Sequence, residues 1–192
     1  MKTSTQERLI ETTRELLWER GYVGTSPKAI LEGAGVGQGS MYHHFTGKQD
    51  LALAAIRRTG EEMRAAVDGL LGADGPAYDR IASYLLRERE VLRGCPVGRL
   101  TMDPDVIASE ALRAPVAETI AHVRDRLAAI VEEGVDSGEF AAHLVPGDIA
   151  AAVVATVQGG YVLARASGGT DAFDAGVRGL LSLLEPSPAP AA

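Results

Sequence analysis

An all-α fold is predicted for this chain of 192 residues, and three observations predict it. Hydrophobic residues make up 46% and charged residues 23%, with only 5% aromatic; Ala, Leu, Arg and Glu, which favour helices, are abundant. Apolar positions recur at three-and-four spacing along most of the chain, the period of a helix rather than the alternation of a strand. The breaks in that period fall on Gly and Pro, the residues that punctuate helices.

The first helix is placed at residues 4 to 20, with Leu9, Ile10, Thr13, Leu16 and Leu17 on one side and glutamates on the others. Gly21 ends it. Thr25 or Ser26 caps a second helix that opens on Pro27 and buries Ala29, Ile30, Leu31 and Ala34; proline fits a first turn because its missing N–H has no partner there. Gly35 and Val36 turn the chain into a very short third helix beginning near Gln38, where Gly37 stands in place of a capping side chain. A fourth helix runs from Lys48 to Leu71, about 35 Å at 1.5 Å per residue. Beyond the Gly72–Pro76 break, helices are expected over 76–93, over 97–112 with an interruption at Asp103-Pro104, over 115–137 opening on Pro115, over 148–166 and over 171–184. The domain organisation read from this is 1–47 as a helix-turn-helix head, 48–72 as a linking helix, 73–185 as an effector-binding and dimerisation body, and 186–192 as a proline- and alanine-rich disordered tail.

The third helix carries the chemistry. Met41 and Phe45, four apart, point inward and fasten it, which leaves Gln38, Ser40, Tyr42, His43 and His44 outside or on the rim within about two turns. Polar groups so concentrated on so short a helix are matched to a polar partner. Ser26, Ser40 and Tyr42 supply hydroxyls, Lys28 and Lys48 supply ammonium groups, and the start of the fourth helix supplies free N–H groups, all suited to phosphate oxygens of double-stranded DNA. Gln38 suits an adenine edge, Gly39 allows close approach to the groove, and His43 or His44 reaches a base or phosphate. Adjacent histidines project about 100° apart on a helix, so they do not chelate a metal together.

Charge distribution fits that reading. Residues 1 to 58 hold 8 Lys and Arg against 6 Asp and Glu, a net of +2, while the rest hold 11 against 20, a net of −9. A weakly basic head on an acidic body confines a phosphate contact to the first third. A single cysteine, Cys95, excludes an intrachain disulfide and a multi-cysteine zinc cage. The N-terminus lacks an apolar signal segment, and Ile149–Val157, the most apolar stretch, is shorter than the roughly 20 residues of a membrane span, so no membrane contact and a cytoplasmic location are expected. No cofactor or metal is called for.

On Gly21-Tyr22, Thr25-Ser26, Ala34-Gly35-Val36, Ser40 to Phe45 and Lys48, residues 5 to 60 resemble the DNA-binding head of the TetR family of one-component transcriptional regulators. Gly94-Cys95-Pro96-Val97-Gly98 resembles a motif of a drug-responsive branch, the LmrA/YxaF-like regulators. Gly37 and Gln38 depart from the Ser and Lys common in the family. The resemblance implies a repressor that binds a palindromic operator and is released by a small-molecule effector.

A single short helix covers too few base pairs to be selective, so a two-fold dimer is expected, through the nearly all-round apolar helix 148–166 and the final helix 171–184. Gly159-Gly160 is assigned to close helix approach across that boundary. The effector pocket is placed at Tyr84, Arg99, Met102, Asp103, His122 and Arg126, closed by Gln158 and Tyr161. Its occupation is expected to swing the fourth helix; a hundredfold release of DNA needs about 2.7 kcal/mol of coupling. Two alternatives are a redox-sensing regulator using Cys95 and a helical interaction protein that binds no DNA. An enzyme with Cys95 as nucleophile and His122 as base is set aside, because nothing in the sequence places the two together.

Overall fold

The computed structural model describes residues 4–186, and every described element is helical. The tail expected to be disordered lies, from residue 187 onward, outside the described residues. By its internal contacts the chain forms two compact units: Met1–Met63 with Cys95–Ile120, and Arg64–Gly94 with Ala121–Ala192. The segment that follows Gly94 therefore groups with the N-terminal residues, and the division falls inside two long helices rather than at residue 72.

In the first unit, helix α1 (Thr5–Arg20) opens on Ser4, whose hydroxyl accepts the Glu7 N–H at 3.1 Å, and closes on Gly21 at φ 74°. Leu9, Ile10 and Leu17 are buried with Thr13, whose hydroxyl donates to the Leu9 carbonyl at 2.7 Å and so is satisfied. Helix α2 (Pro27–Ala34) is capped by Ser26, while Thr25 is buried and donates to the Gly21 carbonyl at 2.6 Å. Helix α3 (Gln38–His44) follows Gly37, which offers no side-chain cap. Helix α4 (Lys48–Leu71) has the extent expected. Leu9, Ile10, Ile30, Ala34, Met41, Phe45 and Leu51 make one core. A 3₁₀ turn (Gly98–Met102) and the short helix α6 (Pro104–Ala108), numbered after the α5 given below, complete the unit with the first part of helix α7 (Glu110–Asp136).

Two boundaries differ from expectation in ways the structure explains. Helix α7 begins at Glu110, not at Pro115, because the Ser109 carbonyl accepts the N–H groups of Leu112 and Arg113 and starts the helix. Pro115 then sits one turn in, where it removes only one intrahelical hydrogen bond. In the second unit helix α5 (Ala77–Leu86) stops well short of residue 93. The Arg89 guanidinium folds back onto the carbonyls of Tyr84, Leu85 and Arg87, so a side chain satisfies acceptors that further helix would have used.

The second unit also holds the end of α7, with Leu127, Ile130 and Val131 buried, and the pair α8 (Pro146–Ser167) and α9 (Asp171–Leu184). Helix α8 is long and apolar enough, by length and composition, to cross a membrane, which corrects the shorter Ile149–Val157 estimate. Its Ala150, Val153, Val157, Gly160, Tyr161 and Ala164 are buried, and it packs against α9, as a core helix does. Of the Gly159-Gly160 pair, Gly160 owes its size to a contact within the chain: a Cβ there would lie 2.6 Å from the Phe173 ring. Gly160→Ala is expected to lower unfolding free energy by about 1–3 kcal/mol through overpacking, read by urea unfolding, despite alanine's better helix propensity. Gly159 is exposed and meets nothing within 4 Å.

Candidate nucleic-acid interface

The turn between α2 and α3 is built by two glycines with different tasks. Gly35 takes the left-handed conformation, φ 62° and ψ 40°, and its N–H closes α2 on the Glu32 carbonyl. A side chain there would be strained. Gly37 is extended and leads α3, whose Ser40 N–H reaches the Gly37 carbonyl at 3.0 Å.

With Met41 at 0% exposure and Phe45 at 6%, α3 is held by its apolar side. Gln38, Gly39, Tyr42, His43 and His44 are exposed and Ser40 is half-buried, so the structure brings the proposed base-reading residues together on one outward surface. Tyr42 is 55% exposed, and the His43 and His44 rings stand edge to face, 4.9 Å apart. No group of residues able to hold a metal is found among the described residues.

The flanking cations and hydroxyls are less uniform. Ser26 is exposed but already accepts the Ala29 N–H at 3.1 Å as the α2 cap. Lys28 is exposed and lies 3.8 Å from Glu32, a solvated pair that a phosphate can displace. Lys48 is committed elsewhere: its Nζ sits 3.9 Å from the centroid of the Tyr22 ring. Burial lowers its pKa below the usual lysine value, against the opposing pull of Asp103 and Asp105. The same surroundings raise the Tyr22 phenol, burial first and then those two carboxylates.

Asp103, expected in the effector pocket, is a tie within the first unit. It is 8% exposed, caps α6 by accepting the Asp105 and Val106 N–H groups at 3.2 and 3.3 Å, and accepts the Val23 N–H at 2.9 Å. Gly21 faces it so closely that a Cβ there would lie 2.9 Å from Oδ2. The Asp-Pro pair at 103–104 carries the signature of a helix cap followed by proline at the first position, and that signal was available in the sequence.

The other pocket residues divide between the units. Arg99, Met102 and Asp103 belong to the first, with Met102 85% exposed, and Tyr84, His122, Arg126, Gln158 and Tyr161 belong to the second. His122 Nε2 and Arg126 Nε each lie 3.0 Å from Asp68 Oδ1. Arg126 Nε is off the hydrogen-bonding direction, so that pair is an ionic contact only. Tyr84 and Tyr161 are buried, Tyr161 against Phe173 with ring centroids 5.3 Å apart. Cys95 is 6% exposed and its sulfur accepts the Gly98 N–H at 3.1 Å. A buried, hydrogen-bonded thiol does not favour the redox-sensing alternative.

Comparison with known proteins places these features in company. The family described as "Bacterial regulatory proteins, tetR family" matches residues 9–55, and "Tetracyclin repressor-like, C-terminal domain" matches residues 77–180. The HTH-type transcriptional repressor DhaR of Mycobacterium sp. (strain GP1) is 25% identical over 97% of this chain and 95% of its own. The HTH-type transcriptional regulator LmrA of Bacillus subtilis (strain 168) is 29% identical over 56% of this chain and 61% of its own. Among solved structures, the TetR family regulator CifR, a cysteine mutant complexed with 26 bp double-strand operator DNA, matches with a TM-score of 0.78 at 22% identity, over 96% of this chain and 98% of that one.

Proposed function

From the premise that this chain belongs to the tetR family of bacterial regulatory proteins, and is a DNA-binding transcriptional regulator, we propose a cytoplasmic homodimeric repressor that leaves a near-palindromic operator when a small-molecule effector binds. The observation that carries the DNA reading is α3 itself, anchored by Met41 and Phe45 and turned outward at Gln38, Ser40, Tyr42, His43 and His44. A helix so held presents side-chain donors and acceptors at fixed spacing, which is what reading base edges in the major groove requires. Ser26, Lys28 and Tyr42 set register on phosphates. Lys48 joins them by moving off the Tyr22 ring.

Support for two-fold pairing comes from α8. Ala151, Ala155, Gly159, Val162 and Ala166 are exposed at spacings that put them on one helix face, and Leu163 and, on α9, Leu183 are exposed beside small residues. Apolar surface of that continuity marks an interaction site. Effector coupling has a covalent route, because α4 and α7 run through both units. The ligand must favour one of two arrangements of those helices; equal affinity for both releases nothing.

Fragments selected from the source genome give the operator, and mobility-shift assays across its single-base variants test the reading. Gln38→Ala is expected to relax preference at one base position, while Lys28→Ala weakens every sequence alike and reduces the slope of log affinity against log salt by about 1. An unaltered preference for all operator variants in Gln38→Ala overturns the base-reading role.

A further inference from the structure

Just beyond the end of α5, Arg89 has no acid to answer it among the described residues. Arg89 donates from Nη1 to the Leu85 and Arg87 carbonyls at 2.7 and 3.0 Å and from Nη2 to the Tyr84 carbonyl at 2.5 Å, and it hydrogen-bonds Tyr161. Its guanidinium carbon lies 5.3 Å from the Tyr84 ring centroid and 5.9 Å from that of Phe173. The Nε donor is buried without a hydrogen-bond partner. Burial, and next the like charge of Arg87, push the guanidinium below its usual pKa, with only the two phenols opposing. A partly desolvated charge beside another of the same sign carries an electrostatic cost that the carbonyls and phenols offset only in part, and an anion relieves the remainder.

A cavity of about 460 Å³ opens at this point within the second unit. Arg87, Arg89 and Arg178 stand on its wall, and Leu85, Phe173 and Val177 give it an apolar floor. Glu88 and Asp174 also line it; Asp174 accepts from the Thr170 hydroxyl at 3.3 Å, and neither acid neutralises Arg89 among the described residues. The size is that of a small-molecule site, and an apolar lining with a few convergent charges is its usual chemistry. The larger cavity beside Tyr78 lacks this imbalance: Arg80 pairs with Glu133 at 2.5 Å, and Glu139 accepts the Ala77 and Tyr78 N–H groups, both at 2.8 Å.

We propose that the cavity between α5 and α9 binds a small organic carboxylate, its acid group answering the three arginines and its apolar body lying on Leu85, Phe173 and Val177. The site rests on the reading of the second unit as the effector-binding part of a regulator, and names the class of effector. No residue lining it belongs to the pocket read from the sequence, of which Tyr84 and Tyr161 touch Arg89.

The test uses the full chain, with octanoate and benzoate as probes and octanamide and benzamide as neutral controls, followed by titration calorimetry. Saturable binding of either acid is expected, weakening with added NaCl, with each amide at least about tenfold weaker, as the loss of a charge-assisted contact implies. Arg178→Gln, at an exposed position, and Arg87→Gln are expected to weaken the bound acid about tenfold with helicity unchanged; Arg89→Gln serves as a third variant where its circular dichroism matches wild type. Equal binding of acid and amide, no binding of either acid, or wild-type affinity in both Arg87→Gln and Arg178→Gln overturns the site. Operator release is measured separately. A bound acid that frees the operator supports the effector role as well, and one that binds without freeing it leaves the site standing while the effector reading fails.

Discussion

Val162→Glu is expected to turn the proposed dimer into monomers and to lower operator affinity by at least a hundredfold. Val162 is 67% exposed in the chain, in the stripe that Ala151, Ala155, Gly159 and Ala166 continue along α8. In a two-fold interface each surface meets its own copy, so one substitution appears twice and sets two carboxylates in the same apolar patch. Each lost valine contributes about 1.5–3 kcal/mol of burial, and the buried, unpaired charges add more, so the dimer dissociation constant rises by about two decades or beyond. Separating the heads removes the second half-site contact, whose effective concentration is worth about 10²–10⁴ in affinity. Sedimentation velocity and mobility shift read the two effects together. A monomeric wild type, or a dimeric Val162→Glu variant with unchanged operator binding, would end this account of α8. Because Val162 lies outside the buried set Val153, Val157, Gly160 and Ala164, the folded chain itself should keep its stability.

The head was legible because its determinants are local. Thr25 or Ser26 before Pro27 starts a helix, Gly35 supplies the left-handed turn, and Met41 with Phe45 marks the inner side of α3; each acts within a few residues, and the structure selects Ser26 as the cap and places the others as read. The extent of α4 followed from one uninterrupted period between Lys48 and the Gly72 break. What the sequence concealed depends on partners far along the chain. The end of α5 is set by Arg89 turning back onto three carbonyls, and no periodicity announces a side chain that does so. Lys48 reads as a free phosphate ligand until Tyr22, well before it in sequence, occupies its ammonium. Asp103 reads as a pocket acid because its bond to Val23 spans 80 residues. Gly160 was attributed to a subunit boundary, and the Phe173 ring in the next helix accounts for it. Arg89 carries no sequence signal of its turn, and Lys48, Asp103 and Gly160 are picked out in the sequence without the neighbours the fold gives them, since composition fixes what a side chain can do and only tertiary structure fixes to whom.

Asp103→Ala is expected to cost the first unit about 2–4 kcal/mol of stability. One carboxylate accepts three backbone N–H groups: Asp105 and Val106 at the start of α6, and Val23 in the turn between α1 and α2. Loss of a helix cap alone costs about 0.5–2 kcal/mol. Removing the acceptor from Val23, in a part-buried setting, adds about 1–3 kcal/mol for a donor left unpaired. The close fit at Gly21, whose φ of 74° and contact with Oδ2 admit no side chain, loses its purpose but not its cost. Asp103→Asn keeps one oxygen, enough for the cap or for Val23 but not for both, so about half of the loss should remain. Urea unfolding measures the difference, and for a chain of this length each kcal/mol moves Tm by about 2–4 °C. Amide exchange separates the causes: faster exchange at Val23 and in the first turn of α6 in Asp103→Ala, with α9 unaffected, supports the tie, whereas uniform acceleration across both units, or a change below about 0.5 kcal/mol, would mean that the Val23 bond contributes nothing beyond an ordinary surface contact.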